Sequence, residues 1–400
     1  MRRLLPLALI LTTTGAAQRD PAAAVISPTD RAPGTATLSP DTETRWVPFD
    51  LTPGNQIRFT MAVDGRDLTA ILDTGVSFSV LSRAAADPAK VQSGGTATAI
   101  GGSVAIGWLP TATLSLGGLT RTGGGLTVTT LPATATGSAR AVDLLLGRDV
   151  LAPYALDIDY AARRFRLLRS GRMPYRGAIA PLAVSAARNV YESAITLGGH
   201  RVRPMVVDTG DGASVSVTDR AWNAHAPAGL PVTTTIAFGL AGEQTSRLAI
   251  VPTIGLGTLV ARQVEVRIEA ADGFSQSIGT AGRIGSGLLQ HYRVLLDPTA
   301  GRMILRPGPT ADTPPLRSTS GLLLGILPDR LRVLHVMRGG PAAATGWKDG
   351  DTICAIDGMP VTADYATSPL AAWSAGKPGR VVTLTLCDGT TRQLTLKRFY

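Results

Sequence analysis

Apolar residues in this chain come in short runs closed by turn signals, a pattern that predicts many short strands and few helices. Two of the runs end alike. Thr69-Ala70-Ile71-Leu72 passes into Asp73-Thr74-Gly75, and Pro204-Met205-Val206-Val207 passes into Asp208-Thr209-Gly210. Each reads as a strand entering a tight, glycine-permitted turn that holds a carboxylate near the surface of a core. The flanking sequence repeats as well. With Gly147 set on Gly285, Tyr154 falls on Tyr292, Asp159 on Asp297, Ala162 on Ala300, Arg164 on Arg302 and Leu167 on Leu305. Leu116-Gly117-Gly118-Leu119 falls likewise on Leu256-Gly257-Thr258-Leu259. A common shift of roughly 135 to 140 residues means a duplicated unit rather than a short-period solenoid.

Two such turns can bring two carboxylates face to face. At that distance both cannot ionise cheaply, so they share a proton, and one acts as base and the other as acid on a water between them. On these residues the chain resembles the bilobal aspartic peptidases with retropepsin-like lobes, over about residues 44–308. The resemblance implies a mainly β fold: a first lobe over 44–170 and a homologous second lobe over 185–308, with the active-site cleft between them. It implies Asp73 and Asp208 as catalytic residues, Thr74 and Thr209 as the pair that locks them, and Gly75, Ser77 and Gly210 as their support. It pairs each turn with a later apolar-Gly segment, here Leu145-Leu146-Gly147 and Arg283-Ile284-Gly285, the second made less apolar by Arg283. It also places a hairpin over bound peptide at 97–108, with Gly101 and Gly102 at its tip, and a counterpart at 233–247. Glycines at such a tip permit positive φ and close backbone approach. The second turn departs from the pattern at Asp211, where a small residue is usual. That acid either adds like charge beside the pair or points to solvent or caps the turn.

The start of the chain changes the expected setting. Met1-Arg2-Arg3, an apolar run from Leu4 to about Leu11 and small residues to Ala17 describe a secretory signal peptide over 1–17. That run is shorter than the roughly 20 residues a bilayer needs, so no transmembrane span is expected and the chain reads as exported, to a bacterial periplasm or beyond. Residues 18–43, rich in Ala, Thr, Pro and Asp, read as a disordered tether. The net charge of +10 rests on basic residues spread without a long run, which favours a solvated surface over nucleic acid.

A proline-rich linker over 309–317 closes the repeat. After it, Val336 to Trp347, Lys348-Asp349-Gly350-Asp351 and Cys354-Ala355-Ile356-Asp357-Gly358 resemble a PDZ domain of bacterial secreted-protease type, over 318–400. The resemblance implies binding of a chain terminus or extended segment at a sheet edge, with Leu324-Gly325-Ile326 as the carboxylate-receiving loop. Cys354 and Cys387 fall on predicted strands of this region, and either a disulfide or two unpaired thiols is compatible with export. Four scattered histidines exclude a paired zinc motif, and no Gly-x-Ser-x-Gly elbow or phosphate loop is present. The expectation is an aspartic endopeptidase acting on polypeptide, with no metal or organic cofactor and no need to dimerise. The alternative is a non-catalytic peptide-binding or scaffold protein of the same fold.

Overall fold

The computed structural model describes residues 34–136 and 141–400. Strand (47%) far outweighs helix (12%), so functional side chains are carried on sheets and turns. The signal-peptide expectation for 1–17 and most of the tether lie outside the described residues. Residues 34–43 correct the rest of the tether. Thr35–Leu38 is a strand antiparallel to Leu119–Thr122, and the buried Thr42 hydroxyl donates to the Leu167 carbonyl at 2.8 Å. Threonine suits a pleated edge, so a segment poor in large apolar residues still joins the sheet.

Two β-units repeat one register. In the first, Arg66–Leu72 pairs in parallel with Leu144–Leu146, Leu72 opposite Leu146, and the latter strand pairs antiparallel with Val80–Ser82. In the second, His200–Asp208 pairs in parallel with Gly282–Gly285, Val207 opposite Ile284, and the latter pairs antiparallel with Val215–Val217. Each Asp-Thr-Gly turn thus leaves a buried strand flanked by the expected apolar-Gly segment. Parallel pairing buries both faces, which explains the unbroken apolar run before each aspartate. Gly147 is obligatory at its crossing point, because a Cβ there would lie 2.9 Å from the Phe78 and Val76 backbone.

A six-stranded sheet joins the units: Tyr292–Asp297 of the second lies antiparallel to Ala155–Asp159 of the first, with Leu156 opposite Leu296. Ala178–Pro181, from the segment connecting the units, forms one edge. Each unit also carries a long hairpin. The first runs through Gln92–Ala99 and Gly102–Pro110, and the second through Thr233–Gly239 and Gly242–Leu256. Both are longer than the sequence suggests. The tips meet, the Ala241 N–H donating to the Ile100 carbonyl at 3.1 Å.

Residues beyond the linker form a separate sheet around its own core, which includes Trp347, Ile353, Trp373 and Leu384. Leu324-Gly325-Ile326 is not a loop. It belongs to the strand Leu322–Ile326, which pairs with Leu331–Val336 and lies at the end of the sheet order. The run Leu322-Leu323-Leu324 extends the strand through Gly325. This unit docks on the base of the second hairpin. The Thr234 hydroxyl sits 2.7 Å from His335 Nε2 and accepts the Arg338 N–H at 3.0 Å, and the Thr233 hydroxyl donates to the Arg338 carbonyl at 2.8 Å. Leu248 and Ile250 pack there against Met337 and Tyr400.

Cys354 and Cys387 are joined in a disulfide across a separation of 33 residues. Closing a loop of that length removes unfolded-state entropy worth about 4 kcal/mol. Cys354→Ser is therefore expected to destabilise the C-terminal unit by about that amount, measured as an earlier unfolding transition that reductant no longer shifts.

Candidate active site

The two Asp-Thr-Gly turns face each other across the junction of the units. Asp208 is buried and Asp73 half-buried, and their side chains share a hydrogen bond. A Cβ at Gly75 would collide with the Asp208 carboxyl, and one at Gly210 with that of Asp73. Glycine is needed at both positions because each turn is the floor for the opposite carboxylate. The inner oxygens are fixed locally: Asp73 Oδ1 accepts the Gly75 N–H at 3.0 Å, and Asp208 Oδ1 accepts those of Gly210 and Asp211 at 2.9 and 3.0 Å.

Thr74 and Thr209 tie the turns together reciprocally. The Thr74 hydroxyl donates to the Val207 carbonyl at 2.7 Å and accepts the Thr209 N–H at 3.0 Å. The Thr209 hydroxyl donates to Leu72 at 2.7 Å and accepts the Thr74 N–H at 3.1 Å. Both threonines are fully buried. Thr74→Val keeps the shape but leaves a buried carbonyl and N–H unpaired, at about 1–3 kcal/mol each. A melting temperature several degrees lower is expected, and Thr209→Val should match it; a silent Thr209→Val would refute the reciprocity.

A second reciprocal tie escaped the sequence reading. Asn55 and Asn189 both adopt positive φ. Asn55 Nδ2 donates to the Gly212 carbonyl and Asn189 Nδ2 to the Ser77 carbonyl, each at 3.1 Å. The residue that follows each glycine by two is thus clamped by the other unit. Asparagine tolerates the left-handed region, which is the signal that could have found them. Ser77 differs from expectation: its hydroxyl donates to the Arg188 carbonyl at 2.5 Å, so it braces this clamp instead of orienting Asp73.

Residues 59–150 match the family model described as Aspartyl protease. Over these residues the chain is similar to an aspartyl protease domain. A search of curated proteins found no match. The matched segment contains Asp73-Thr74-Gly75 and Leu145-Leu146-Gly147, the first unit's elements that border the facing carboxylates.

Within the matched segment, the space behind the turn is apolar: Val76 packs with Ile71, Val80, Leu131, Val142 and Leu145. The second unit fills the equivalent space with charge. Asp211 and Arg283 occupy the positions of Val76 and Leu145, and both are buried. Arg283 Nε lies 2.8 Å from Asp211 Oδ2, its Nη1 2.5 Å from Glu269 Oε1, and its Nε 3.7 Å from Asp208 Oδ2. The guanidinium also stacks on the Phe274 ring at 5.3 Å. Asp211 therefore does not point to solvent. Its Oδ1 does cap the turn, accepting the Ala213 N–H at 2.9 Å. Burial would raise the Asp211 carboxyl, but Arg283 and then Arg267 outweigh it and hold it below the usual range.

The facing carboxyls go the other way. Asp73 is raised well above the ordinary range by burial first and then by the Asp208 charge. Asp208 is pushed up to about 6 by burial and by Asp211, with Arg283 opposing. One proton shared by such a pair is the cheapest state near neutral pH. Gly101 lies at the tip of the first hairpin, where a Cβ would lie 2.9 Å from the Ala241 carbonyl carbon, while Gly102 opens the return strand. Among the described residues, no group of three or more His, Cys, Asp or Glu side chains is arranged to hold a metal ion. No helix among them is long and apolar enough to cross a membrane.

Proposed function

We propose that this chain is an exported aspartic endopeptidase built of two homologous retropepsin-like lobes, with Asp73 and Asp208 as its catalytic pair. The observation that carries the reading is the mutual approach of these two carboxyls, each raised and each seated on the other's glycine. Asp208, the less raised and the one beside Arg283, is the ionised partner. It removes a proton from water as the oxygen attacks the peptide carbonyl carbon, while protonated Asp73 donates to the carbonyl oxygen. The tetrahedral diol then collapses: a proton passes to the amide nitrogen, the C–N bond breaks, and the pair recovers its single shared proton. Water is the nucleophile, so the step needs no cofactor.

The meeting hairpin tips suit an extended polypeptide, which they would cover and shield from bulk water. The C-terminal unit fits a PDZ domain that docks substrate or regulates access, with the end strand Leu322–Ile326 as its peptide-binding edge. The Cys354–Cys387 disulfide is in keeping with export to a periplasmic or extracellular space. Asp211, the departure from the family pattern, is paired with Arg283 and so leaves no uncompensated charge beside the catalytic pair.

The test is hydrolysis of an unstructured peptide pool from pH 3 to 9. Activity should rise as the pH passes about 6, where Asp208 ionises, and fall again where Asp73 loses its proton. An optimum near pH 3 would contradict the assigned proton states, and binding without cleavage at every pH would leave the scaffold reading standing.

A further inference from the structure

A cavity of about 250 Å³ opens beside Gly210, between the second unit's sheet and the two hairpins, with Ile100, Phe238 and Gln244 in its wall. Its floor is polar. Arg267, Ser216 and Arg283 lie side by side on three neighbouring strands, Ser216 opposite Arg267 on one side and opposite Arg283 on the other. The two arginines differ in what they have to bind. Arg283 bonds Asp211 through Nε, and Glu269 and the Ser275 hydroxyl through Nη1. Those contacts also occupy both carboxylates of the cavity, Asp211 accepting further from Ala213 and Ser216, and Glu269 from Ser275. Arg267 is left over. Its Nε is buried with no hydrogen-bond partner among the described residues. A buried guanidinium N–H without an acceptor is costly, and a ligand oxygen reaching it would form a charge-assisted bond.

Resting on the endopeptidase reading above, we propose that this cavity is a specificity subsite in which Arg267 receives the carboxylate side chain of a substrate residue flanking the scissile bond. Glutamate or aspartate supplies the missing acceptor and adds a negative charge to those of Asp211 and Glu265 already acting on Arg267. Glutamine supplies an acceptor alone, leucine leaves Nε unpaired, and lysine brings like charge against Arg267. The ranking expected at one position is therefore Glu and Asp, then Gln, then Leu, then Lys. Between glutamate and lysine the separation should be at least about tenfold in kcat/KM, the scale on which one buried charged partner discriminates.

The experiment uses the full chain and matched peptides carrying Glu, Gln, Leu or Lys at each position from three before to three after the cut. Wild-type protein, Arg267→Lys and Arg267→Glu are compared for kcat and KM separately, with thermal unfolding as the folding check. The acidic preference should persist in Arg267→Lys and reverse toward lysine in Arg267→Glu, mainly through KM. Binding of the same peptides to Asp73→Asn, read by fluorescence anisotropy, gives the ranking without turnover. Cleavage or binding with no acidic preference at any position overturns the subsite and leaves the peptidase reading intact. So does a ranking that Arg267→Glu leaves unchanged. Acid-selective binding without any cleavage by the wild type would overturn the peptidase reading instead.

Discussion

Asp73→Asn is expected to abolish peptide hydrolysis while raising the melting temperature at pH 7. The lost proton transfer is worth on the order of 10²–10⁴-fold in rate. The gain in stability has a definite sign. Asp73 is raised in the folded chain by burial and by Asp208, so the unfolded chain ionises first as the pH rises above the ordinary aspartate value of 3.8. From there to the folded value the folded state loses ground, and at neutral pH the pair is a standing cost. Asparagine mimics the protonated form and removes that cost, so the gain should fade as the pH falls towards 4. Asp208→Asn should also stop turnover without the same gain, because Asp208 faces Arg283 at 3.7 Å and accepts two backbone N–H groups. Thermal unfolding at pH 4 and 7 beside the hydrolysis assay decides the matter. Retained activity would remove Asp73 from the chemistry, and an unchanged melting temperature at pH 7 would show that the pair carries no such cost.

Arg283→Leu should cost about 3–5 kcal/mol, since it strands Asp211 and Glu269 as buried charges without their cation. The same change should move the acid limb of the activity profile upward, because Arg283 is the group that lowers Asp208. The first unit indicates the repair. There the equivalent positions are Val76 and Leu145 in an apolar cluster. Arg283→Leu combined with Asp211→Val and Glu269→Gln should therefore recover most of the lost stability. Denaturant unfolding of the single and triple variants measures this. A triple variant no more stable than the single one would mean that the charges serve the fold in a way the apolar version cannot replace.

Much of the framework was legible because it rests on local rules. An apolar run ending in Asp-Thr-Gly reports a buried parallel strand and a glycine turn, and two such runs at a fixed shift report the duplication. What escaped is what depends on distant contacts. Asp211 and Arg283 look like separate blemishes 72 residues apart, and only the parallel pairing of His200–Asp208 with Gly282–Gly285 brings the turn that carries Asp211 beside Arg283. The Asn55 and Asn189 clamps act between units and leave no trace in the spacing within either. Ser77 sits where a carboxylate partner is expected, but its hydroxyl is drawn to the Arg188 carbonyl that the other unit presents. Leu324-Gly325-Ile326, expected as a loop on the PDZ resemblance, lies in a strand because three leucines and an antiparallel neighbour carry the chain through it. Thr35–Leu38 shows the converse: low hydrophobicity does not prevent strand addition where an edge is waiting.

The docking of the C-terminal unit on the second hairpin bears on how the cleft admits a chain. Thr233 and Thr234 are bolted to Arg338 and His335, and Leu248 and Ile250 are glued to Met337 and Tyr400. The first hairpin is held through its own unit's sheet, where Gly107 to Pro110 pair with Gly125 to Val128, and it meets the second hairpin at the tip. On the endopeptidase reading, a ligand that seats on the C-terminal unit would therefore be felt at the cleft through the second hairpin, as a load on a beam is felt at its free end.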